Sequence, residues 1–250
     1  MTSRVASVGV LHPGEMGAAV AAVVRGEVWW APEGRSRATA RRARDAGLRP
    51  APLPELLERC DIVLSICPPH AALDVARACA GYRGVYCDAN AVSPETMRDV
   101  ARAVGGDVVD GGILGGPPRG PGTRLCLSGP VANEVAAVFE GTALEPVVIG
   151  EEIGPASALK MCYAAWTKGS AALLLAVSEA SEALGLGDEL RAEWDRTIPG
   201  LREQVERAAR SAEAKGWRWV GEMREIEATL RSAGLPGGFH AAAAEIFERR

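Results

Sequence analysis

The turn after the first predicted strand carries residue types that suit a phosphate-bearing ligand. Small apolar residues from Val5 to Leu11 favour a buried parallel strand, and a second apolar run, 18–24, is typical of a helix. Between them, Gly14 and Gly17 occupy the second and third glycine positions of the pattern G-x-G-x-x-G, and His12 stands at the first. Backbone N–H groups at a helix start bind anions. This arrangement predicts a dinucleotide-binding turn, with Gly14 beside the pyrophosphate and Gly17 at the contact between helix and strand.

Proline at position 13 reshapes this turn. It supplies no N–H group, and it pushes the preceding residue towards an extended conformation. An ordinary strand-to-helix connection is the alternative interpretation. The predicted cofactor-binding residues of the turn are His12, Pro13, Gly14, Glu15 and Met16.

The residues after the second predicted strand, 28–30, indicate which dinucleotide binds. An acid at the end of this strand is typical of NAD enzymes, whereas arginine accommodates the extra phosphate of NADP. Arg35 and Ser36 follow the strand and can hold that phosphate, while Glu33 can instead reach the ribose. Arg35 can also belong to a solvated arginine-rich helix face. We predict NADP, with NAD as the alternative.

Strands and helices alternate through residues 1–150, which predicts an α/β fold with a Rossmann-type, doubly wound, mostly parallel sheet. The loop Cys67-Pro68 follows a buried strand and is expected on the cofactor side of the sheet. Residues 111–120 are rich in glycine and proline, and this composition predicts an exposed loop.

After Gly150 the pattern becomes helical, which predicts a second, all-α domain over 151–250. The predicted helices are Gly154–Leu184, Asp188–Arg196, Leu201–Lys215, Trp217–Ser232 and Pro236–Arg249. The first is long and very apolar over 171–177, and the other helices are too short to cover it. We therefore expect burial against a second subunit and a homodimer.

The composition of the chain argues against several classes of protein function. The 250 residues are 48% hydrophobic and 24% charged, and the net charge of −4 argues against nucleic acid as a partner. No apolar run is long enough to span a membrane, and no charged-then-apolar signal region begins the chain. The six cysteines form no C-x-x-C pair, which argues against a metal site and for buried thiols in a reducing cytoplasm.

These features together resemble the β-hydroxyacid dehydrogenase family, which includes 3-hydroxyisobutyrate and 6-phosphogluconate dehydrogenases. The resemblance covers nearly the whole chain, and residues 216–250 look most like a phosphogluconate-dehydrogenase-like branch. The motifs that carry it are Gly14 to Gly17, Asp88-Ala89-Asn90 with Ser93-Pro94, Asp110 to Gly116, and Gly154 to Lys160. It implies NAD(P)-dependent hydride transfer, with Asn90 at the cofactor.

The resemblance places Lys160 where the family has its catalytic lysine. Carbonyl reduction develops charge on oxygen, and a positioned acid must deliver a proton there. Partial burial lowers the pKa of a lysine enough for this task. A surface lysine lying over its helix is the alternative. The neighbours favour the catalytic role because they are apolar: Ala156, Ala158, Leu159, Met161 and Cys162.

Three departures from the family concern the substrate. Leu114 replaces a serine, Ala164 replaces an asparagine, and Gly221-Glu222 replaces a lysine–aspartate pair. These differences predict a more apolar pocket than one for small hydroxy acids. Arg119 can hold an anion or be solvated. The predicted substrate-binding residues are Leu114, Gly115, Gly116, Tyr163, Thr167 and Glu222.

The resulting expectation is an NADP(H)-dependent oxidoreductase that interconverts a hydroxy and an oxo compound with Lys160 as general acid and base. The substrate is a small molecule. Two alternatives remain at this point. One is an imine reductase on the same scaffold, and the other is a dinucleotide-binding protein without turnover.

Overall fold

A computed structural model describes residues 6–250, so Val5 and the start of the predicted domain 1–150 lie outside the described residues. One sheet organises the first part of the chain. Its strands are β1 (Val8–Val10), β2 (Val28–Trp30), β3 (Arg49–Pro50), β4 (Ile62–Ser65), β5 (Val85–Asp88), β6 (Val108–Leu114), β7 (Thr123–Ser128) and β8 (Leu144–Gly150). Their order is β3-β2-β1-β4-β5-β6-β7-β8, and only β6 and β7 pair antiparallel in this part of the chain. The predicted Rossmann-type, mostly parallel sheet is confirmed.

Helices cover both faces of the sheet. They are α1 (Glu15–Val23), α2 (Arg37–Asp45), α3 (Leu53–Arg59), α4 (Ala72–Ala78), α5 (Pro94–Val104) and α6 (Ala132–Phe139). Successive residues of a strand point to opposite faces. Ile62 and Leu64 accordingly lie in one buried apolar cluster, and Val63 lies in the other. Ser93 caps α5, because its hydroxyl oxygen accepts a hydrogen bond from the Thr96 amide at 3.2 Å.

The prediction of an exposed loop over residues 111–120 is wrong for its first part. Strand β6 continues through Gly111, Gly112 and Ile113 to Leu114, and β7 pairs with it. Glycine is needed there because neighbouring backbone lies close. A Cβ on Gly111 would lie 3.0 Å from the Asp88 carbonyl oxygen, and one on Gly112 would lie 2.8 Å from that of Ala156.

The second part of the chain is helical, as predicted. Its helices are α7 (Pro155–Ala183), α8 (Gly187–Thr197), α9 (Leu201–Ser232) and α10 (Gly238–Glu248). The prediction of two helices, over 201–215 and 217–232, is wrong, since α9 continues through Gly216. Helices α9 and α10 pack together, and the Trp219 and Phe247 rings meet edge to face with centroids 5.0 Å apart.

The chain forms two compact units, one ending at Lys160 and the other comprising Met161–Arg250. The predicted domain boundary at 150/151 coincides with the end of β8, and the assignment of two domains there remains a prediction. Within residues 6–250, no helix is long and apolar enough to cross a membrane.

Candidate active site

The turn between β1 and α1 is open on the side where a pyrophosphate would approach. Gly14 is the N-cap residue of α1 and has an extended backbone. A Cβ at this position would meet no heavy atom within 4 Å. Since Gly14 has no side chain to accept hydrogen bonds from the first helical turn, this helix start suits an anionic group. The turn therefore fits the pyrophosphate of a dinucleotide.

Gly17 explains how the turn stays tight. A Cβ on Gly17 would collide with the carbonyl oxygen of His12, so only glycine allows this approach of helix to strand. The other predicted residues of the turn differ in exposure. Pro13 is buried, Glu15 is exposed, and Met16 packs against the apolar core.

His12 lies at the edge of a cavity of about 230 Å³ beside the ends of β1 and β2. Burial and the nearby Arg35 guanidinium lower the pKa of His12 to about 4, so its imidazole is neutral at pH 7. Its Nδ1 atom is buried without a hydrogen-bond partner among the described residues. Glu33 and Arg35 also line the cavity, and its other walls are apolar. An apolar slot with a guanidinium beside it suits an adenosine that carries a phosphate.

Ser36, the second predicted phosphate ligand, is the N-cap of α2. Its hydroxyl oxygen accepts a hydrogen bond from the Thr39 amide at 3.2 Å, and its hydroxyl lies 3.1 Å from Thr39 Oγ1. The guanidinium of Arg35 is therefore the stronger candidate for the phosphate, and a cofactor contact by Ser36 remains a prediction.

Asn90 is buried and organises the loop after β4. Its Nδ2 donates to Asp88 at 2.8 Å and to Ser65 at 3.1 Å, and its Oδ1 accepts from the Cys67 amide. The predicted residues Cys67, Pro68 and Asn90 thus come together at the carboxyl ends of β4 and β5. In this arrangement, Asn90 shapes the loop at the carboxyl edge of the sheet, and the cofactor contacts predicted for these residues remain predictions.

Lys160 lies in the second turn of α7, and its side chain reaches back to β6. The ammonium Nζ donates to the Ile113 carbonyl oxygen at 2.7 Å. Burial lowers the pKa of Lys160 from 10.5 to about 8. An amine with this pKa is present in both protonation states near neutral pH, which is the property that a general acid and base needs.

The first turn of α7 is held by two polar residues whose roles the sequence interpretation missed, Asp110 on β6 and Ser128 on β7. The Asp110 carboxylate accepts hydrogen bonds from Gly154 and Ser157, and the Ser128 hydroxyl accepts one from the Ala156 amide. The apolar context of Asp110 in the sequence was the available signal, because a buried acid needs partners.

The predicted substrate residues of the first unit follow β6. Leu114 is half-buried, whereas Gly115 and Gly116 are exposed, and Gly115 has a φ of 113° that favours glycine. The Gly116 carbonyl accepts from the Thr123 hydroxyl at 2.7 Å, which holds the loop. Arg119 is exposed in the same loop.

The other three predicted substrate residues belong to the second unit. Tyr163 is exposed, and its carbonyl accepts from the Thr167 hydroxyl at 3.1 Å. Glu222 is buried on α9, where its carboxylate pairs with Lys168. The substrate contacts predicted for these residues remain proposals.

Two sequence comparisons relate the chain to proteins of unassigned function. Residues 181–250 match a family described as a domain of unknown function, DUF1932. Over 167 residues the chain is 36% identical to an uncharacterized 28.5 kDa protein of Methanothermus fervidus. That stretch is 66% of this chain and 65% of the relative, so the chain matches slightly less than two thirds of the relative's length.

Solved structures extend the likeness to the whole chain. The conserved protein MTH1747, described as structurally similar to 3-hydroxyacid dehydrogenases, is 32% identical with a TM-score of 0.71, over 97% of this chain and 96% of that chain. The Streptomyces aurantiacus imine reductase is 25% identical with a TM-score of 0.55, over 97% and 93% of the two chains. The Mycobacterium tuberculosis 3-hydroxyisobutyrate dehydrogenase, 17% identical with a TM-score of 0.68 over 98% and 93%, shares the fold. The chain therefore belongs to the β-hydroxyacid dehydrogenase family, whose members are NAD(P)-dependent oxidoreductases.

Proposed function

We propose that the protein interconverts a hydroxy and an oxo compound with NADP(H), and that Lys160 is the general acid and base. The observation that carries the proposal is the Lys160 amine, which is half-buried, lies 2.7 Å from the Ile113 carbonyl oxygen and has a pKa of about 8. The amine belongs to the same compact unit as the glycine turn.

The residues present fit a dinucleotide. Gly14 and the first turn of α1 would hold the pyrophosphate, and Arg35 would pair with the 2′-phosphate. When bound there, NADPH would supply the hydride for the substrate carbon. Lys160 delivers a proton to the oxygen on which charge develops, and it accepts the proton in the reverse direction. The Ile113 carbonyl oxygen, 2.7 Å from Nζ, orients the amine.

The proposed substrate is less polar than the small hydroxy acids of the family. Leu114 lies at the end of β6, where the family has a serine. The two residues that follow, Gly115 and Gly116, have no polar side chain. We propose that these residues line part of the substrate site. The substrate contacts predicted for Tyr163, Thr167 and Glu222 stay predictions.

A screen of NADPH consumption tests the proposal directly. Oxo acids, aldehydes, ketones and cyclic imines are offered with NADPH, and the corresponding alcohols are offered with NADP. We expect turnover of an apolar oxo compound. If no carbonyl compound reacts and cyclic imines do, the carbonyl assignment is wrong.

Imine reduction is the second candidate function. The specific observation in its favour is the 25% identity to the Streptomyces aurantiacus imine reductase along almost the whole chain. An iminium substrate already carries its proton and does not need one from Lys160. Retention of a lysine with a lowered pKa at this position therefore favours the carbonyl reaction.

Replacing Arg35 with alanine should remove the preference for NADP. A charge-assisted hydrogen bond contributes about 1.5–3 kcal/mol, so NADPH affinity should fall roughly 10- to 100-fold while NADH affinity changes little. Fluorescence titration with both cofactors measures this. Arg41→Ala, which removes an exposed arginine on α2, is the matched control and should retain the preference. An Arg35→Ala protein that still prefers NADPH would refute the assignment.

We propose a homodimer built on an apolar seam of α7. Large exposed side chains recur along this helix at spacings of three, seven and four residues, which are close to multiples of 3.5: Tyr163, Trp166, Leu173 and Val177. A 3.5-residue repeat is the pattern of helices that pack lengthwise on a partner helix. A second copy supplies the same seam, so one symmetric contact buries both.

Light scattering should give about twice the 26.2 kDa chain mass at micromolar concentration. Trp166→Glu should shift the protein to the monomer, because a charge would enter the seam. The control is Trp217→Glu, which changes another exposed tryptophan, 65% accessible and located on α9. A wild-type monomer, or a dimer in both variants, would show that α7 is not the interface.

We also propose a cytoplasmic location. The six cysteines are all free thiols, and five of them are buried. Such thiols need no oxidising compartment.

A further inference from the structure

We infer that Asp110 is a positioning residue, whose buried carboxylate fixes the start of α7 against β6 and so holds the Lys160 amine at the Ile113 carbonyl. The inference builds on the proposed function of Lys160. It assigns no contact with substrate or cofactor to Asp110.

The carboxylate of Asp110 accepts four hydrogen bonds, and three of them come from the start of α7. Oδ2 accepts from the Gly154 amide at 2.9 Å and from the Ser157 amide at 3.0 Å. Oδ1 accepts from the Ser157 hydroxyl at 2.6 Å. The fourth donor is the Ser128 hydroxyl, 3.1 Å from Oδ2. The Asp110 side chain is fully buried, so these donors replace solvent.

This arrangement satisfies the N–H groups that a helix start leaves unpaired. Pro155 has no N–H group, the Ala156 amide donates to the Ser128 hydroxyl at 3.0 Å, and the Ser157 amide donates to Asp110. The first intrahelical bond then runs from the Ala158 amide to the Gly154 carbonyl. A negative group at the positive end of a helix adds to the attraction. Asp110 therefore caps α7 from outside the helix.

Strand β6 and helix α7 are joined at two points, which we call clamps. One is the set of hydrogen bonds from Gly154 and Ser157 to Asp110, and the other is the hydrogen bond from Lys160 to the Ile113 carbonyl oxygen. The distance between the two clamps is similar along both elements. Asp110 and Ile113 are three residues apart on a strand, which spans about 10 Å. Gly154, directly before α7, and Lys160 are six residues apart, which spans about 9 Å of helix. Between the clamps, a Cβ on Gly112 would lie 3.1 Å from the Lys160 Cβ, so the elements touch along this length. A shift of the helix start must therefore move the Lys160 side chain.

Asp110 fixes the position of α7 and does not act on the Lys160 amine through its charge. Burial is the cause of the lowered pKa of Lys160. The titratable group that faces Asp110 is Asp88 on the adjacent strand β5, in direct register, and burial raises the pKa of Asp88 to about 7. Burial raises the pKa of Asp110, while its hydrogen bonds to Ser157, Ser128 and Gly154 oppose the rise. If the cap is lost, α7 loosens, water reaches the Lys160 amine, and its pKa returns towards 10.5.

NMR of the complete chain labelled with [ε-13C]lysine tests the inference. The sequence has only three lysines, Lys160, Lys168 and Lys215, so each signal is assigned with single lysine-to-arginine variants. The wild-type Lys160 signal should titrate near pH 8. In Asp110→Ala it should titrate more than one pH unit higher. Asp110→Asn, which retains one acceptor oxygen, should lie between the two.

Circular dichroism checks that each variant is folded. If Asp110→Ala does not fold, Ser157→Ala provides the test. Ser157→Ala removes the 2.6 Å bond alone, and it should raise the pKa of Lys160 by a smaller amount. A folded Asp110→Ala or Ser157→Ala protein whose Lys160 titrates as in the wild type overturns the inference. The titration needs neither cofactor nor substrate. If the proposed reaction fails, the titration of Lys160 can therefore still be interpreted. If the titration does not support the role of Asp110, the proposed reaction can still be tested by turnover.

Discussion

Lys160→Ala should bind NADPH with normal affinity and lose turnover of a carbonyl substrate by roughly 10²–10⁴-fold, the usual contribution of one general acid. The loss should fall mainly on kcat, because the proton moves in the transition state. Lys160→Arg should fail as well, since a guanidinium stays protonated and has a different shape. Steady-state kinetics together with a cofactor titration separate the two effects.

The pH dependence of the rate tests the same mechanism in both directions of the reaction. Carbonyl reduction needs the ammonium form, so its rate should fall as the pH rises through about 8, the pKa of Lys160. Alcohol oxidation needs the neutral amine, so its rate should rise through the same pH. In Lys160→Ala this inflection should disappear from the residual rate.

Lys215→Ala is the control, because it removes an exposed lysine of α9. It should retain wild-type turnover and the wild-type pH profile. With a cyclic iminium substrate, Lys160→Ala should lose much less activity, which distinguishes the two candidate reactions. Near-wild-type carbonyl reduction by Lys160→Ala would show that another group moves the proton.

Local patterns were sufficient to predict most of the sheet. The apolar runs at β1, β2 and β4 lie between recognisable turns, and Ser93-Pro94 is a helix start that needs only neighbouring residues. Strand β3 has two residues and α6 has eight, and neither was predicted. Such short elements depend on the sheet beside them more than on their own residues.

The two errors both involve glycine. A glycine in a sequence usually predicts the end of a strand or helix. Gly111 and Gly112 instead lie within β6, where neighbouring backbone approaches closely. In α9, Gly216 is buried and the helix passes through it. A glycine costs a helix only about 1 kcal/mol relative to alanine, and tertiary packing along a helix of this length outweighs that cost.

The candidate site was predictable where the signal is local. Lys160 stood out as an isolated charge in an apolar run, and the structure half-buries it. The function of Asp110 depends on Ser157, 47 positions further along the chain. Only the folded arrangement of β6 and α7 brings these residues together.

Gly17→Ala should destabilise the protein and remove dinucleotide binding. By helix propensity alone, alanine within α1 would stabilise the fold by about 1 kcal/mol. The added Cβ would collide with the His12 carbonyl oxygen, which is backbone and cannot rotate away. With an overpacking cost of about 3 kcal/mol, the upper end of the usual range, we expect a net loss of about 2 kcal/mol and a fall in Tm of roughly 4–8 °C. Thermal unfolding measures it.

Gly14→Ala is the matched substitution at the other glycine of the turn. Gly14 has ordinary backbone angles and open space around the position of a Cβ. The Tm of the Gly14→Ala protein should therefore differ from that of the wild type by at most a few degrees. The new methyl group would instead stand where the pyrophosphate must approach, and NADPH affinity should fall at least about tenfold. The pair thus separates the fold from the ligand, because Gly17→Ala loses both stability and binding and Gly14→Ala loses binding alone. Unchanged NADPH affinity in Gly14→Ala would mean that the pyrophosphate does not lie on this turn.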